Sequence, residues 1–269
     1  MQPKSITSLT NERVKFVRSL EQRKVRRETG LFVAEGASII ATARDLGVAP
    51  EMLVCKAGAG ADGIARQLTA WALREKAECL EVSEAVLAKL AAKDNPQTVM
   101  AVFRQRFAAP PEPAAVARGD TWLALEEVRD PGNLGTIIRT ANAVGAAGVI
   151  LVGTCCDAYS REAIRATMGS IFAVPLVAIS RDAFVDLAGR WPGDVIGTHL
   201  NGTEDFRAPT RREPALLVMG GEGPGMSEAV AAACTRLVKI PMSGQIDSFN
   251  LAIATALVLY QLRGPNLTL

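Results

Sequence analysis

A glutamate stands inside a glycine-rich stretch, LVMGGEGPGMSEA, at residues 217–229. Glycines let a ligand approach backbone N–H groups closely, so a phosphate-binding loop is the first chemistry to test. Gly220 and Gly225 have the five-residue spacing of a P-loop. The lysine position, however, holds Met226, and the carboxylate of Glu222 would repel phosphate. The stretch therefore does not indicate a P-loop, and Glu222 needs another role.

A second polar loop, RDPGNLGTIIRTANAVGA, occupies residues 129–146. Its Asp-Pro-Gly sequence predicts a tight turn, and Asn133 is expected to be the N-cap of a helix that runs to Gly145. Arg139 lies about 200° from Ile137 around that helix, which places it away from the apolar stripe. The apolar stripe consists of Ile137, Ala141 and Val144. Arg139 is thus predicted to face away from that apolar stripe.

A third loop, IPMSGQIDSFN at residues 240–250, precedes a long apolar segment. We expect Asp247 or Ser248 to cap the following helix, and Gly264 with the next proline to end it. That helix is apolar nearly all round, so it should be buried on every side. The cover would come from the same subunit or from a second one.

These loops follow apolar, strand-like segments that alternate with helical sequence. Continuous apolar strands between helices indicate a parallel sheet that is covered on both faces. Ligands of such sheets bind beyond the carboxyl ends of the strands, where all three loops are expected to lie. The strand-like segments are residues 121–128, 148–153, 174–179, 194–200, 215–220 and 237–242.

A proline- and alanine-rich stretch at residues 107–118 reads as a linker between two domains. Before it, residues 1–106 alternate helical and strand-like sequence, which suggests a small α/β domain. After it, residues 119–269 form the larger domain. The helical segments expected in the first domain are residues 11–30, 37–47 and 64–77, and the strands are residues 31–36, 51–57 and 99–105.

The composition is that of an ordinary globular protein: 269 residues, 49% hydrophobic and 22% charged. No apolar run approaches the roughly 20 residues that a membrane helix needs, and the first residues show no secretory signal, so we expect a cytoplasmic protein without membrane contact. The five cysteines lack a C-x-x-C motif and His199 is the only histidine. Neither a disulfide framework nor a metal site is predicted, and the thiols should be reduced and mostly buried.

Positive charge is concentrated at the start of the chain. Residues 1–30 contain eight Lys or Arg against three Glu, although the whole chain has a net charge of only +2. A polyanion such as RNA would be attracted there. The alternative is a solvated helix face, and charge alone does not separate the two.

Three motifs resemble those of the SpoU (TrmH-like) RNA ribose 2′-O-methyltransferases: DPGNLGTIIRTANAVGA, VMGGEGPGM and IPMSGQIDSFN, in that order. The stretch RRETGLFVAEGASII at residues 26–40 is also similar to the small RNA-binding domain that many members carry. The resemblance implies a SPOUT fold, an α/β domain with a parallel sheet whose C-terminal segment forms a deep trefoil knot. General folding rules disfavour knots, so only the resemblance supports this expectation.

The resemblance also implies the cofactor, S-adenosylmethionine, which the second and third motif loops would wrap. Glycines would then serve the approach of the cofactor to backbone groups. The family usually has leucine where Phe249 stands, a change that keeps an apolar wall and alters the adenine slot. The implied cofactor-binding residues are Thr198, Leu200, Gly220, Gly221, Gly225, Ile240, Met242 and Phe249.

Family members methylate a ribose hydroxyl of ribosomal or transfer RNA and need no metal. Since an unaided guanidinium is a poor base at neutral pH, Arg139 is expected to position the ribose or phosphate and stabilise the developing alkoxide. Glu222 becomes an active-site carboxylate, the alternative being that it pairs with an arginine to order its loop. The implied catalytic residues are Asn133, Arg139, Glu222, Ser248 and Asn250, and the expected RNA-binding residues are Arg13, Lys15, Arg18, Arg23, Lys24, Arg26 and Arg27.

The apolar last helix, and the family's habit of building the active site near a subunit contact, predict a homodimer. Two other functions stay open: a non-catalytic RNA-binding module and a nucleotide phosphotransferase. The first would not need five polar residues in three loops, and the second lacks the lysine and magnesium ligands of a P-loop.

Overall fold

The computed structural model describes residues 2–59, 63–91, 97–208, 212–244, 248–264 and 267. The chain packs as two compact units. The first comprises Met1–Gln105 and Asp157–Ala173, and the second comprises Arg106–Cys156 and Val174–Leu269. The polypeptide therefore enters the second unit, returns to the first for a short segment, and leaves it again, which a division at the proline-rich stretch does not anticipate.

The first unit contains a sheet with the strand order β1-β4-β3-β5-β2. β5 runs antiparallel to both of its neighbours, while β1, β3 and β4 are parallel to one another. The inner strands are almost wholly buried because helices cover them, as their apolar sequences predict. The strands are β1 Lys4–Ile6, β2 Leu31–Glu35, β3 Met52–Lys56, β4 Glu78–Val82 and β5 Val99–Arg104.

The predicted single helix over residues 11–30 is wrong, because the structure divides it into two. Leu20 ends the first of these helices, and the guanidinium of Arg26 then donates to the carbonyls of Leu20 and Glu21, both at 2.7 Å. These bonds satisfy carbonyl groups that a continuous helix would have used internally. The helices of the unit are α1 Glu12–Ser19, α2 Arg23–Thr29, α3 Ala37–Asp45, α4 Gly63–Arg74, α5 Glu84–Ala91 and, from the returning segment, α7 Arg161–Thr167.

The returning segment is held by polar contacts that the sequence does not reveal. Arg26 also donates from Nε and Nη2 to Asp157 Oδ2, at 2.9 and 2.7 Å. At the start of α7, Arg161 donates to the carbonyls of Leu90 and Ala91, at 2.9 and 2.8 Å. The last turn of α5 is thereby tied to a helix 70 residues further along the chain.

The second unit is built on a sheet in which all strands are parallel, in the order β10-β12-β9-β11-β6-β7-β8. This confirms the predicted large parallel sheet. From β6, the chain adds strands first on one side and later on the other, which creates a crevice at the carboxyl ends. The strands are β6 Thr121–Glu126, β7 Gly148–Val152, β8 Leu176–Ile179, β9 Val195–Thr198, β10 Glu204–Asp205, β11 Ala215–Gly220 and β12 Arg236–Lys239.

The helices of the second unit begin at residues other than those predicted. Asp130, not Asn133, is the N-cap of the first helix, since its side chain accepts from the Asn133 N–H at 2.6 Å. Asn250 caps the last helix, where Ser248 or Asp247 was expected; Asp247 lies outside the described residues. The helices are α6 Pro131–Ala143, α8 Arg181–Gly189, α9 Glu228–Ala233 and α10 Leu251–Arg263.

Helix α10 is not buried on every side within this chain. One face packs into the unit, and Thr255, Val258 and Leu259 on it are essentially inaccessible to solvent. The opposite face exposes large apolar side chains, with Ile253 51% and Tyr260 61% accessible. The residues that the structure describes therefore leave that face of the helix uncovered. Among the described residues, no helix combines the length and hydropathy that crossing a membrane requires.

Candidate active site

The three polar loops meet the sheet at one edge, as predicted from their position after strand-like segments. Parallel pairing aligns Gly220, the last residue of β11, with Glu126, the last residue of β6. On the other side of β11, Thr198 ends β9 opposite Val238 of β12. The loop after each of these strands therefore starts from the carboxyl edge, where α/β sheets bind ligands.

A chain of hydrogen bonds joins the three loops. Asn133 donates from Nδ2 to Glu222 Oε1 at 2.9 Å, and its Oδ1 accepts from Asn250 Nδ2 at 3.0 Å. The other carboxylate oxygen of Glu222 accepts from the backbone N–H of Arg129 at 3.0 Å. Asn133 thus uses both ends of its amide, and this fixes the orientation of Asn250 as well. We call Glu222, Asn133 and Asn250 the amide–carboxylate cluster.

The charge of Glu222 follows from these partners. Partial burial works against ionisation, but the N–H of Arg129 and the amide of Asn133 outweigh it, and the pKa of Glu222 is lower than its ordinary value. The carboxylate is consequently ionised at neutral pH and accepts hydrogen bonds with both oxygens. A general base that operates near pH 7 needs a raised pKa, so this environment suits a fixed anionic acceptor better.

The glycines of the loop after β11 are required by the protein's own backbone. A Cβ atom on Gly220 would lie 2.2 Å from both the Gly225 carbonyl carbon and the Met226 nitrogen. One on Gly221 would lie 2.6 Å from the Glu127 carbonyl oxygen. The loop folds back so that Gly221 and Gly225 form an isolated bridge, and Gly225 has a φ of 72°. Close packing at the end of β11 thus explains these glycines without a ligand.

A second carboxylate, which sequence reasoning missed, anchors the end of the same loop. Glu126 is 2% exposed and accepts from the Ser227 N–H at 2.8 Å and the Ser227 hydroxyl at 2.7 Å. Arg181 donates to it from Nε at 2.7 Å and also bonds Glu127 from Nη2. The sequence contains one signal for this role, since Glu126 is a charged residue at the end of the apolar segment TWLALE. Ser227 in turn caps α9, so Glu126 ties that helix to β6.

The predicted cofactor-binding residues lie on the loops at this edge. The Thr198 hydroxyl donates to Met219 Sδ at 3.3 Å, which orients it toward β11. Ile240 and Met242 follow β12 and are half-buried, whereas Leu200 after β9 is 59% exposed and Phe249 before α10 is 38% exposed. Ser248 is exposed in the same loop, and residues 245–247 lie outside the described residues.

Arg139 is exposed, as its position on α6 predicts, and it does not belong to the amide–carboxylate cluster. It is six residues beyond Asn133, which corresponds to about 9 Å along the helix and about 240° around it. Its side chain instead lines a groove between α6 and α10, beside Ala256, Leu257 and Tyr260. Within one chain, Arg139 is thus directed toward the exposed apolar face of α10.

Most of the predicted RNA-binding residues of the first unit are exposed on α1 and α2. Several carry partners: Arg13 pairs with Glu78, Lys15 with Glu12 and Lys24 with Glu28. Arg18, Arg23 and Arg27 are also exposed. Arg26 is different, because it is 6% exposed and its guanidinium is committed to Asp157 and two carbonyls. The structure therefore gives Arg26 a structural role and leaves it unavailable to RNA.

The five cysteines form no disulfide. Cys55, Cys79 and Cys155 are buried, and Cys156 and Cys234 are half-buried. Burial raises the pKa of Cys79 to about 11, which keeps that thiol protonated at neutral pH. Among the described residues, no group of His, Cys, Asp and Glu side chains could hold a metal ion.

Two family models match the chain. The model described as the SpoU rRNA Methylase family matches residues 120–260, and that of the MRM3-like substrate binding domain matches residues 11–101. The protein therefore belongs to the SpoU rRNA methylase family.

Similar proteins are known over the full length of the chain. The 23S rRNA (guanosine(2553)-2'-O)-methyltransferase RlmP of Bacillus subtilis is 31% identical over 97% of this chain and 100% of its own. The crystal structure of an AdoMet-bound rRNA methyltransferase from Sinorhizobium meliloti is 41% identical, with both chains fully covered and a TM-score of 0.90. AviRb from Streptomyces viridochromogenes, a SpoU methyltransferase solved in complex with AdoMet, is 28% identical over 95% of this chain and 98% of its own, with a TM-score of 0.84.

Proposed function

We propose that this protein transfers a methyl group from S-adenosylmethionine to a ribose 2′-hydroxyl of ribosomal RNA. The observation that carries the proposal is the amide–carboxylate cluster, which joins the three motif loops at the carboxyl edge of the sheet. A relative named for 23S rRNA 2′-O-methylation matches nearly the whole chain, which favours ribosomal over transfer RNA. A non-catalytic RNA-binding module would have no use for such a cluster.

The donor groups at the carboxyl edge fit S-adenosylmethionine. Leu200 and Phe249 expose apolar surface on loops beside this edge, where it could cover an adenine ring. The backbone groups at the end of β11 and after β12, near Gly220 and Ile240, offer hydrogen bonds to the base. The cofactor supplies a methyl group on a sulfonium, which is an electrophile that needs no metal. We assign the binding role to Thr198, Leu200, Gly220, Gly221, Gly225, Ile240, Met242 and Phe249.

The polar residues of the loops position the ribose. Asn250 is held through Asn133 by the ionised Glu222, so its amide has a fixed orientation at the start of α10. Ser248 precedes it in an exposed position and can bond the hydroxyl or an adjacent phosphate. Fixed donors lower the barrier because they need no reorganisation as charge develops on the ribose oxygen. Glu222 contributes by fixing this geometry, and proton abstraction is not its role.

Arg139 acts on the ribose oxygen or its phosphate through its planar guanidinium. Because Arg139 is displaced along and around α6 from Asn133, a second subunit is the natural source of this residue for each site. The apolar face of α10 beside Arg139 supports that arrangement, since Ile253, Leu257 and Tyr260 are exposed in the single chain. The protein is thus a homodimer whose contact uses α6 and α10, with the active site near that contact.

The first unit holds the RNA. Its fit to a substrate-binding family model and the exposed basic residues of α1 and α2 support this role, with Arg13, Lys15, Arg18, Arg23, Lys24 and Arg27 as the contacts. Most protein contacts to nucleic acid are made to phosphates, which such a basic surface can provide without reading sequence. The charge on these helices is therefore expected to set affinity, while the second unit selects the reacting ribose.

Two further features are proposed from family membership. The C-terminal segment of the second unit is threaded into a trefoil knot that includes the loops after β11 and β12. The protein works in the cytoplasm, where ribosomal RNA is its substrate.

Two measurements test the function. Isothermal titration should give tight binding of S-adenosylmethionine and none of ATP, whereas a phosphotransferase would show the reverse. Mapping of 2′-O-methyl groups in ribosomal and transfer RNA, with and without the gene, should then reveal one ribosomal site that is lost with the gene. Cofactor binding without a lost site in either RNA would contradict the proposed substrate class.

A further inference from the structure

Arg129 is an exposed arginine that stands next to the amide–carboxylate cluster. It follows β6 by three residues and immediately precedes Asp130, the N-cap of α6. Its side chain makes no hydrogen bond or ion pair with any residue that the structure describes. The guanidinium is therefore available to a ligand at the carboxyl edge of the sheet.

The backbone around Arg129 is held on both sides. Its own N–H donates to Glu222 at 3.0 Å, and the carbonyl of Val128 accepts from the Cys156 N–H at 2.7 Å. On the other side, Asp130 is fixed by the 2.6 Å bond from Asn133. A ligand that binds the Arg129 side chain would thus have to order only that side chain, because the loop is already fixed.

Other arginines of this unit have carboxylate partners among the described residues, whereas Arg129 has none. Arg181, Arg212 and Arg236 are each paired with at least one carboxylate. The carboxylate of Glu222 accepts from the backbone N–H of Arg129. It forms no ion pair with the Arg129 guanidinium. Glu222 thus contacts only the backbone of Arg129, and the guanidinium remains available for an anion from outside the chain.

We propose that Arg129 binds a phosphate of the substrate RNA, next to the nucleotide whose ribose is methylated. This inference rests on the proposed function, since it assigns the anion to the RNA backbone. The planar fork of the guanidinium matches two phosphate oxygens. The contact makes Arg129 a positioning residue for the RNA, separate from the basic surface of the first unit and from cofactor binding.

The chain offers a matched control in Arg118. It is also exposed and without a partner among the described residues, and it precedes β6 where Arg129 follows it. Since β6 has six residues, the two arginines are separated by about 20 Å or more along the strand direction and lie at opposite edges of the sheet. Loss of either removes one positive charge from the same unit.

The experiment measures the affinity of the full-length protein for in vitro transcribed 23S ribosomal RNA across a series of KCl concentrations. Arg129→Ala should weaken binding about tenfold, as expected for loss of a charge-assisted contact. It should also reduce the slope of log affinity against log salt by about 0.7–0.9, the contribution of one phosphate. Arg118→Ala should change neither quantity. Arg129→Lys should keep the slope and lose part of the affinity.

Three outcomes would overturn the inference: wild-type affinity and slope in Arg129→Ala, an equal loss in Arg118→Ala, or a loss of S-adenosylmethionine affinity in Arg129→Ala. If Arg129→Ala does not fold, Arg129→Lys and Arg129→Gln are compared instead. Only Arg129→Gln removes the charge, so only this variant should reduce the salt slope. Failure of the proposed function is distinguishable, since the wild-type protein would then not bind S-adenosylmethionine, whatever its affinity for RNA.

Discussion

Asn250, the N-cap of α10, donates a 3.0 Å hydrogen bond to Asn133, which lies 117 residues earlier in the first turn of α6. The pair brings the first and third motif loops together, and Glu222 from the second motif loop completes the connection. An amide can donate to a carboxylate through its nitrogen and accept from another amide through its oxygen at the same time. The arrangement therefore depends on Asn at position 133.

Asn133→Asp is expected to be more damaging than Asn133→Ala. The new carboxylate would stand close to the ionised Glu222, and two anions at that distance disfavour each other's charge. Turnover should fall by on the order of a hundredfold for Asp and about tenfold for Ala. The Asp variant should recover activity as the pH is lowered, because one of the two carboxyl groups then takes up a proton. Single-turnover methyl transfer across pH 5–8 measures this, and equal, pH-independent losses would contradict it.

The lowered pKa of Glu222 predicts a specific stability profile. A carboxyl whose pKa is lower in the folded than in the unfolded protein stabilises the fold above its unfolded pKa, about 4.3, and loses that contribution as the pH falls further. Glu222→Gln should therefore flatten the decline of the free energy of unfolding below about pH 4.3. Urea titrations from pH 7 to pH 3 test the difference. If acidification instead stabilised the wild-type protein relative to Glu222→Gln, folding would raise the pKa of Glu222 rather than lower it.

Arg139 should matter for turnover and little for folding. It is an exposed helix residue, so Arg139→Ala should change the free energy of unfolding by less than about 1 kcal/mol. Turnover with saturating cofactor and RNA should fall by on the order of a hundredfold. Arg139→Lys keeps the charge without the planar fork and should rescue little. A wild-type single-turnover rate in Arg139→Ala would show that the guanidinium does not act in the reaction.

The exposed face of α10 predicts the assembly state. Leu257→Lys places a charge on apolar surface that a second subunit would bury, so the variant should sediment as a monomer where the wild-type protein is a dimer. Leu46→Lys is the control, since Leu46 is similarly exposed, at 48% against 40%, but lies in the first unit. If Leu257→Lys sediments as a dimer, the subunit contact does not use this face of α10. If the wild-type protein sediments as a monomer, the proposed dimer is excluded.

Glu126 is expected to be the most sensitive carboxylate for stability. It is almost fully buried and accepts from Ser227 and Arg181, so its removal leaves half-buried donors without this acceptor. Glu126→Ala should cost on the order of 3 kcal/mol. Glu112→Ala, which breaks an exposed ion pair with Arg190, should cost less than about 1 kcal/mol. Thermal unfolding compares the two, and similar small losses would show that Glu126 does not anchor the loop.

The sequence predicted the features that depend on local pattern. The apolar runs identified the strands of the second unit except the two-residue β10, and their alternation with helical sequence indicated a parallel sheet. Contacts between distant residues could not be predicted in this way. Arg26 appears in a run of basic residues with nothing to distinguish it. The carboxylate that pairs with its buried guanidinium belongs to Asp157, 131 residues further along the chain. Asn133 likewise looks like a helix cap in the sequence. Asp130, three residues earlier, is the N-cap instead, so the side-chain amide of Asn133 can donate to Glu222.

The ion pair between Arg26 and Asp157 also has a consequence for synthesis on the ribosome. Arg26 belongs to the first part of the first unit, and Asp157, whose carboxylate pairs with its guanidinium, is translated 131 residues later. At about 5–20 residues per second, Arg26 waits on the order of ten seconds before that carboxylate exists. During this interval the nascent first unit lacks α7 and holds an uncompensated cation beside its core. We therefore expect the nascent amino-terminal part to remain sensitive to protease until α7 has emerged, and a stalled chain that ends before residue 157 to remain so indefinitely.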